Sequence, residues 1–375
     1  MGLKKKIAGK RGKALRGKHA GRPAAAAPKP EKVASVSGKG PHFVGLDLGT
    51  VRSSIVTSWD ARAYEESVVG WPKDVISAKT LGVGVMIGQE ALNNRLALEI
   101  VYPLDHGVIR EGAPRCEEAA NILVKHLIDS TNPPEGDIYC VVGAPAQGVK
   151  PYKKLLMRML RQYFANVLVI PEPFSVAYGL DMLQNCLVVD IGGGTSDICR
   201  LSGSIPKVED LRSISMAGNY VDDQLLRLLS DKFPETLFTR AIVKRIKEEY
   251  AEITDREQSV IVELAVNGKH LAHEVGPELQ RATSIILSDI MNGIRDEIAT
   301  FDPDFQEKVR NNIILAGGMS QIPGLGEYIQ NSLSDMGPSR VSVVEDPIFL
   351  GTEGALKFGM DIPPEYWEEM ERMLH

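Results

Sequence analysis

Short apolar runs that end in a glycine turn occur twice along this chain and form its clearest pattern. Residues 42–50 contain the first run and turn, and residues 53–59 form a second apolar run directly after it. Residues 185–195 repeat the arrangement, with a following run over 196–201. Continuous or alternating apolar runs of this length are typical of β-strands. Each copy therefore predicts a β-hairpin.

Strand-like and helix-like patterns alternate along the rest of the chain, which predicts an α/β fold built of packed layers. The Asn267-Gly268 pair is a strong hairpin-turn signal between two strand-like runs. The other predicted strands lie at 138–142, 167–170, 258–266 and 312–316. The predicted helices lie at 153–164, 172–180, 224–229, 241–253, 279–299, from 324 onward, and at 366–374.

The composition is that of an ordinary globular protein, with 43% hydrophobic and 25% charged residues. A chain of 375 residues can bury two sizeable cores. Its longest apolar runs have strand length, so we do not expect an integral membrane protein. The four cysteines show no metal-type spacing, which suits a reducing cytoplasm. Cys186 and Cys199 lie in apolar runs and are expected to be buried thiols.

Positive charge is concentrated at the start of the chain. Residues 1–40 contain twelve Lys or Arg and a single acid, Glu31, whereas the whole chain has a net charge of −6. This stretch has almost no large apolar residue, so we expect residues 1–41 to be a disordered basic tail. It also lacks the apolar segment of a secretory signal. The globular part is correspondingly acidic.

The glycine turns carry the candidate chemistry. A glycine has no Cβ, so backbone N–H groups in the turn can approach an anion closely. The first turn contains Asp47, Gly49 and Thr50, and the second contains Asp190 and residues 192–195. A threonine hydroxyl adds a donor, and an aspartate can hold Mg²⁺ through water. Two copies indicate two related halves that face each other across a phosphate-binding cleft.

A third glycine turn follows the predicted strand at 312–316. Gly317 and Gly318 precede a helix, where close backbone approach and the helix dipole favour an anionic nucleotide. The sequence contains no P-loop motif, and no Rossmann glycine motif opens a βαβ unit. A nucleotide site of either of those kinds is therefore not expected.

These motifs resemble those of the actin/Hsp70/sugar-kinase superfamily. The resemblance rests on four segments in the family's order: 47–50, 171–180, 190–195 and 317–323. Any one of them alone could be a structural turn, whereas four in order are specific. Within the superfamily, the chain is most similar to bacterial actins, in particular the magnetosome-associated ones. The segments that carry this closer likeness are 67–76, 102–108, 217–222 and 362–367. The likeness spans almost everything after residue 42, but the basic tail departs from it.

The resemblance implies ATP and Mg²⁺ as cofactors and assigns roles residue by residue. Asp47 and Asp190 would orient Mg²⁺ through waters, and Glu172 would position the attacking water. For Glu172, the alternative is an acidic residue favoured by the helix dipole at a helix start. The implied phosphate contacts are Gly49, Thr50, Gly192, Gly193, Gly194 and Thr195. The implied adenosine contacts are Lys247, either Glu248 or Glu249, Gly317, Gly318 and Ser320.

The fold implied is an actin-like, RNase H-like α/β fold of two lobes and four subdomains. We expect lobe I to comprise residues 42–171 and 347–375, with subdomain IB at about 75–102. Lobe II would comprise 172–346, with subdomain IIB at about 221–295. A five-stranded sheet is expected in each lobe.

The function implied is an ATPase that polymerises into cytoplasmic filaments and organises magnetosomes in a chain. Its partners would be other copies of itself and proteins associated with magnetosome membranes or other organelles. The basic tail could bind anionic lipid or nucleic acid. Two alternatives stay open: a DNA- or plasmid-segregating filament that uses the tail, and a small-molecule kinase of the same fold. The motifs named above do not indicate the filament geometry or a preference for ATP over GTP.

Overall fold

The computed structural model describes residues 40–110, 112–146 and 150–374. The predicted disordered tail lies outside the described residues, except for its last two positions. The strands are β1 His42–Leu48, β2 Arg52–Thr57, β3 Arg62–Glu66, β4 Val69–Pro72, β5 Met86–Ile87, β6 Leu98–Val101, β7 Leu104–Asp105, β8 Val108–Ile109, β9 Ile138–Ala144, β10 Asn166–Pro171, β11 Gln184–Ile191, β12 Ser196–Ser202, β13 Leu211–Ile214, β14 Ile261–Val266, β15 Lys269–Glu274, β16 Ile313–Ala316 and β17 Val341–Val343.

Helices alternate with these strands along the chain. The α-helices are α1 Val75–Leu81, α2 Gly88–Asn93, α3 Pro114–Ser130, α4 Lys150–Leu160, α5 Glu172–Gly179, α6 Gly218–Lys232, α7 Arg240–Tyr250, α8 Gly276–Ser284, α9 Leu287–Thr300, α10 Pro303–Arg310, α11 Leu325–Ser332, α12 Leu350–Asp361 and α13 Trp367–Leu374. Short 3₁₀ helices span Val208–Asp210, Gly318–Gln321, Ser334–Met336 and Pro364–Tyr366. None of the helices in the described ranges is both long enough and apolar enough to cross a membrane.

Two five-stranded sheets share one topology. The first has the order β10-β9-β1-β2-β3, and the second has the order β17-β16-β11-β12-β13. In each sheet, three antiparallel strands (β1–β3 or β11–β13) join two further strands that run parallel to the first. The expected sheet in each lobe is therefore present, and the repeated hairpin occupies the same place in both.

Apolar clusters lie around both sheets and between them. One cluster packs against the first sheet with α3 and α4, and another packs α6–α9 against the second. A third cluster joins residues of both sheets to α5, α12 and α13. Helix α12 approaches α5 so closely that a Cβ on Gly354 would lie 1.8 Å from the Ser175 carbonyl oxygen. Glycine is therefore required at this joint.

Two smaller sheets lie at the segments predicted as subdomains IB and IIB, although β4 precedes the predicted start of IB. Strands β5-β4-β6 form a three-stranded sheet, and β14-β15 form a hairpin. Helices α12 and α13 pack on strands of the first sheet, in keeping with the inclusion of the last residues in lobe I. The exact lobe and subdomain boundaries stay predictions. Hereafter lobe I and lobe II denote the residue ranges predicted from the sequence.

The predicted strands and most predicted helices agree with the structure, but the single helix expected over 279–299 is wrong. Two helices, α8 and α9, meet there at Ile285 and Ile286. Just before this break, the Thr283 and Ser284 hydroxyls donate to the carbonyl oxygens of Leu279 and Gln280, at 2.9 and 2.8 Å. Such side-chain bonds to the preceding turn bend helices. The expected burial of Cys186 and Cys199 is confirmed.

Candidate functional site

A cavity of about 510 Å³ lies between the two sheets and is the candidate site. Both repeated turns line it, together with the start of α5, the start of α6 and one face of α7. The predicted site residues that line it are Asp47, Gly49, Thr50, Glu172, Asp190, Gly192, Gly193, Gly194, Thr195, Lys247, Glu248, Gly317 and Gly318. Residues that are distant in sequence therefore converge on one space.

The two repeated turns touch each other across the cavity. A Cβ on Gly193 would lie 2.2 Å from Val51 Cγ2, and one on Gly194 would lie 2.3 Å from Thr50 Oγ1. Real Cβ atoms do not approach other atoms this closely, so only glycine fits at both positions. The second turn is therefore shaped to receive the first.

The register of the sheets brings the two aspartates to equivalent places. Asp47 in β1 lies opposite Ser54 in β2 and beside Gly143 in β9. Glu172 reaches the same point because its Cγ packs on Gly143, where an added Cβ would be 3.0 Å away. The missing side chain at Gly143 thus leaves room for the Glu172 carboxyl group beside Asp47.

Asp190 in β11 lies opposite another acid, Asp197 in β12, and beside Ala316 in β16. Gly317, which follows Ala316, has a φ of +78°, and a Cβ there would lie 2.4 Å from Asp190 Oδ1. A left-handed backbone and this close approach both require glycine. The third glycine turn is thereby packed directly against the Asp190 carboxyl group.

Several carboxyl groups are buried together at this end of the cavity, and burial disfavours their charged forms. Burial raises the pKa of Asp47 to about 7, and burial together with the nearby Asp197 and Asp47 raises the pKa of Asp190 to about 7. The pKa of Glu172 is raised well above its usual value by burial and by the charges of Asp47, Asp197 and Asp190. A cation placed among these carboxyl groups would stabilise their charged forms.

The carboxyl groups at this end of the cavity fit a hydrated Mg²⁺ ion. Asp47 Oδ1, Glu172 Oε1 and Asp197 Oδ1 are buried and have no hydrogen-bond partner among the described residues. Unpartnered buried oxygens are costly, and carboxylate and water oxygens are the ligands that Mg²⁺ prefers. Asp47 and Asp190 stay the residues predicted to hold the ion.

The two threonine hydroxyls already have partners within the protein. Thr195 Oγ1 donates to Asp197 Oδ2 at 2.8 Å, and Thr50 Oγ1 accepts from the Gly107 N–H at 2.7 Å. Thr50 therefore keeps its hydroxyl hydrogen for another acceptor. Thr195 would have to leave Asp197 to donate to a phosphate.

Hydrogen bonds join the start of helix α6 to the second turn, and Lys247 of α7 is bonded to α6 in turn. The N–H groups of Gly218 and Asn219, at the start of α6, donate to the carbonyl oxygens of Gly192 and Gly193, at 3.1 and 2.8 Å. The Lys247 amine bonds the Gly218 carbonyl oxygen at 2.9 Å and pairs with Asp222. This ion pair is 2.7 Å long and both side chains are more than 90% buried.

The predicted adenosine contacts divide into two groups. Glu248 lines the cavity, whereas Glu249 lines a separate cavity around residues 249–260. Ser320 does not line the main cavity, because it is buried and its hydroxyl donates to the Gly317 carbonyl oxygen at 2.7 Å. Of the two acids left open by the sequence, only Glu248 borders the site. Ser320 instead holds the third turn in shape.

Comparison with known proteins assigns this arrangement to a family. A family model described as MreB/Mbl protein matches residues 41–362. The chain belongs to the MreB/Mbl family. Its fold is the actin-like fold expected from the sequence. One relative is the actin-like protein MamK of Magnetospirillum gryphiswaldense, which is 37% identical over 87% of this chain and 91% of that protein.

Solved structures of MamK resemble this MreB/Mbl chain over the same region. A MamK double helical filament matches with a TM-score of 0.84 at 37% identity, covering 86% of this chain and 100% of that chain. A non-polymerising MamK mutant bound to AMPPNP matches with a TM-score of 0.67 at the same identity and coverage. The family match begins at residue 41, so residues 1–40 of the basic tail lie outside it.

Sequence reasoning missed several residues of the site in this MreB/Mbl chain. Asp197 follows the second turn by two residues, and strand alternation beyond Thr195 could have placed it beside Asp190. His106 had no partner pattern, yet its Nδ1 lies 2.9 Å from the Gly194 carbonyl oxygen. His106 and Gly107 form the left-handed tip of the β7–β8 hairpin, with φ values of +50° and +72°. Such consecutive left-handed residues are a hairpin-turn signature, but the contact they make is not written in the sequence.

Proposed function

We propose that this protein binds and hydrolyses ATP in the cavity between its lobes and assembles into filaments that position magnetosomes. The observation that carries the proposal is the convergence of two glycine turns and a buried carboxyl cluster on one cavity. The AMPPNP-bound and filament structures of MamK support nucleotide binding and polymerisation by analogy. The magnetosome role rests on the likeness to MamK alone.

In the proposed binding mode, both lobes hold the triphosphate. The backbone of Gly49 and the hydroxyl of Thr50 would contact it from lobe I, and residues 192–195 would contact it from lobe II. Turn N–H groups and hydroxyls are suitable donors to phosphate oxygens. The adenosine would lie towards Glu248 and the third glycine turn. A ligand gripped from both sides favours the closed arrangement of the lobes.

Glu172 is the proposed water-orienting residue. Its Oε1 is buried and has no hydrogen-bond partner in the part of the chain that the structure describes, and its carboxyl group is close enough to Asp47 and Asp190 for their charges to act on it. A carboxylate in this position can hold a water by accepting its hydrogen bond, and can accept a proton from it. Mg²⁺ would supply charge neutralisation at the phosphate oxygens. Phosphoryl transfer requires little else from the protein beyond positioning.

Assembly would proceed head to tail, through contacts between two different surfaces of identical subunits. Such contacts form an open filament when the rotation between subunits does not close into a ring. ATP would favour the closed lobes that assemble, and hydrolysis would weaken the contacts by removing one phosphate from the grip of both lobes. The polymer would then turn over with the nucleotide. Cytoplasmic filaments alongside magnetosome membranes are the proposed location.

The experiment that tests this function combines pelleting with phosphate release, using Mg·ATP and the full chain. The wild type should pellet and release phosphate, whereas Glu172→Gln should pellet but release phosphate about 10²-fold or more slowly. Glu327→Gln is the matched control, because Glu327 is an exposed acid in the first turn of another helix, α11. Failure of the wild type to pellet with any nucleotide contradicts the filament role. Phosphate transferred to an added sugar would instead indicate a kinase.

A further inference from the structure

An acidic side chain beside the cavity bridges a cation of lobe I and a cation of lobe II. Glu66, at the end of β3, accepts from Arg52 Nε through Oε1 at 3.0 Å and pairs with Lys244 Nζ through Oε2 at 3.3 Å. Arg52 begins β2 and lies directly opposite Glu66 in the sheet register. Lys244 is on α7 in lobe II, 178 positions further along the chain.

The position of this ion-pair group links it to the cavity. Arg52 and Lys244 both line the cavity, whereas Glu66 does not. The Glu66 side chain is only 16% exposed and that of Lys244 is 29% exposed, so water screens the pair less than a surface pair. Lys244 is also within 3.9 Å of Glu248, the acid of α7 that borders the cavity. A contact between the lobes therefore lies at the wall of the site.

The geometry fixes which partner can move. Arg52 and Glu66 are held together by neighbouring strands of one sheet, so their bond survives any rotation of one lobe against the other. The contact between Glu66 and Lys244 has no such backbone support, because its partners lie in different lobes. Opening of the cavity on this side must therefore break the Glu66–Lys244 pair and leave the Glu66–Arg52 bond intact.

We propose that Glu66 is a positioning residue that ties Lys244, and with it α7, to lobe I and so slows the release of bound nucleotide. The inference rests on the proposed function, because it assumes that a nucleotide occupies the cavity. Arg52 orients the Glu66 carboxylate, and Lys244 closes the cavity against it. The pair acts on the residence of the ligand and does not act on the bond that is cleaved.

The test measures the dissociation rate of a fluorescent ATP analogue, displaced by excess ATP, from the full-length protein with Mg²⁺. Glu66→Gln should release the analogue about two- to fivefold faster, the range expected for a partly exposed ion pair. Lys244→Met should show the same change, and the double variant should be no faster than either single variant. Raising the salt concentration should accelerate release from the wild type more than from Glu66→Gln.

Asp181→Asn is the matched control, because Lys357–Asp181 also joins the two lobes, but at the α5–α12 joint. Neither residue of that pair lines the cavity, so Asp181→Asn should leave the release rate unchanged. The proposal is overturned if Glu66→Gln releases the analogue at the wild-type rate or more slowly. Slower release would mean that Glu66 instead keeps Arg52 from binding the ligand. Absence of binding to the wild type would contradict nucleotide binding itself.

Discussion

The two glycine turns at the cavity occupy the same place in two sheets of the same topology, yet they differ in what holds them. The first turn depends on another segment, since Thr50 Oγ1 accepts from Gly107 in the β7–β8 hairpin. The second is held within its own lobe by the start of α6 and by the bond from Thr195 to Asp197. The same β-hairpin framework therefore supports two turns that are held mainly by different segments, although the β7–β8 hairpin touches both, because His106 Nδ1 lies 2.9 Å from the Gly194 carbonyl oxygen.

The residues opposite the two aspartates differ in a second way. Asp47 faces Ser54, whose hydroxyl is bonded to Thr352, whereas Asp190 faces the acid Asp197. At this matched pair of positions lobe II has two acids and lobe I has one, and Glu172, also in lobe II, adds a fourth carboxyl group to this cluster. The repeated hairpins therefore have the same backbone geometry but different charges.

The largest effect should come from filling the space that the second turn leaves for the first. A Cβ in Gly194→Ala would meet Thr50 Oγ1 at 2.3 Å and the Cα of His106 at 2.9 Å. The turns would be forced apart, at a cost of about 1–3 kcal/mol. We expect the affinity for ATP, measured by titration calorimetry, to fall about 10- to 100-fold.

Gly192→Ala supplies the matched comparison within the same turn. Its Cβ would lie 3.4 Å from the nearest atom, the Thr195 carbonyl oxygen, which is an ordinary contact distance. Its affinity for ATP should therefore fall much less than that of Gly194→Ala. Equal losses in the two variants would show that the approach of the phosphate to the turn backbone, and not the fit between the lobes, sets the affinity.

Local patterns in the sequence predicted much of this fold. The hairpins, the third glycine turn and the position of Glu172 at a helix start are all readable from neighbouring residues. Helix α12 was not predicted, because Gly351, Gly354 and Gly359 lower its helix propensity. The structure tolerates them since Gly354 allows the close contact with α5. Packing between distant segments overrides local propensity there.

Contacts between distant segments explain what sequence reasoning missed at the site. The pairing of Glu66 with Lys244 spans 178 positions, and that of His106 with Gly194 spans 88. Neither residue type nor spacing indicates such a partner. Helix α3 is different, because its amphipathic period and its proline start are readable and could have been used.

A second prediction uses the pH dependence of stability to distinguish the buried aspartate of lobe I from that of lobe II. Because burial raises the pKa of Asp47 and Asp190 to about 7 in the folded protein, the folded state binds more protons than the unfolded state between about pH 4 and 8. Stability without nucleotide and Mg²⁺ should therefore fall as pH rises through this range. We expect a loss on the order of 2 kcal/mol between pH 6 and 8, measured by urea unfolding.

Variants of the two aspartates sharpen this measurement. Asp47→Asn and Asp190→Asn should each remove part of the pH dependence, because an amide does not titrate. Asp197→Asn should reduce the contribution of Asp190 by removing a neighbouring charge. For Asp47, burial is the cause of the raised pKa, so its contribution should persist in Asp197→Asn. A wild-type stability that rises from pH 6 to 8 would contradict this account of the carboxyl cluster.

The smallest effect should come from removing the contact between the tip of the β7–β8 hairpin and the second turn. His106→Asn keeps a residue that tolerates the left-handed backbone but removes the imidazole that contacts the Gly194 carbonyl oxygen at 2.9 Å. Loss of one such hydrogen bond is worth about 1 kcal/mol, so the ATP analogue should dissociate about fivefold faster. His126→Asn, at a half-exposed position on α3, is the control and should leave the rate unchanged. Gly107 still donates to Thr50 in the variant. A dissociation rate raised about 10- to 100-fold, as large as the loss of affinity expected for Gly194→Ala, would mean that the imidazole itself, and not the fit of the turns, joins the two lobes.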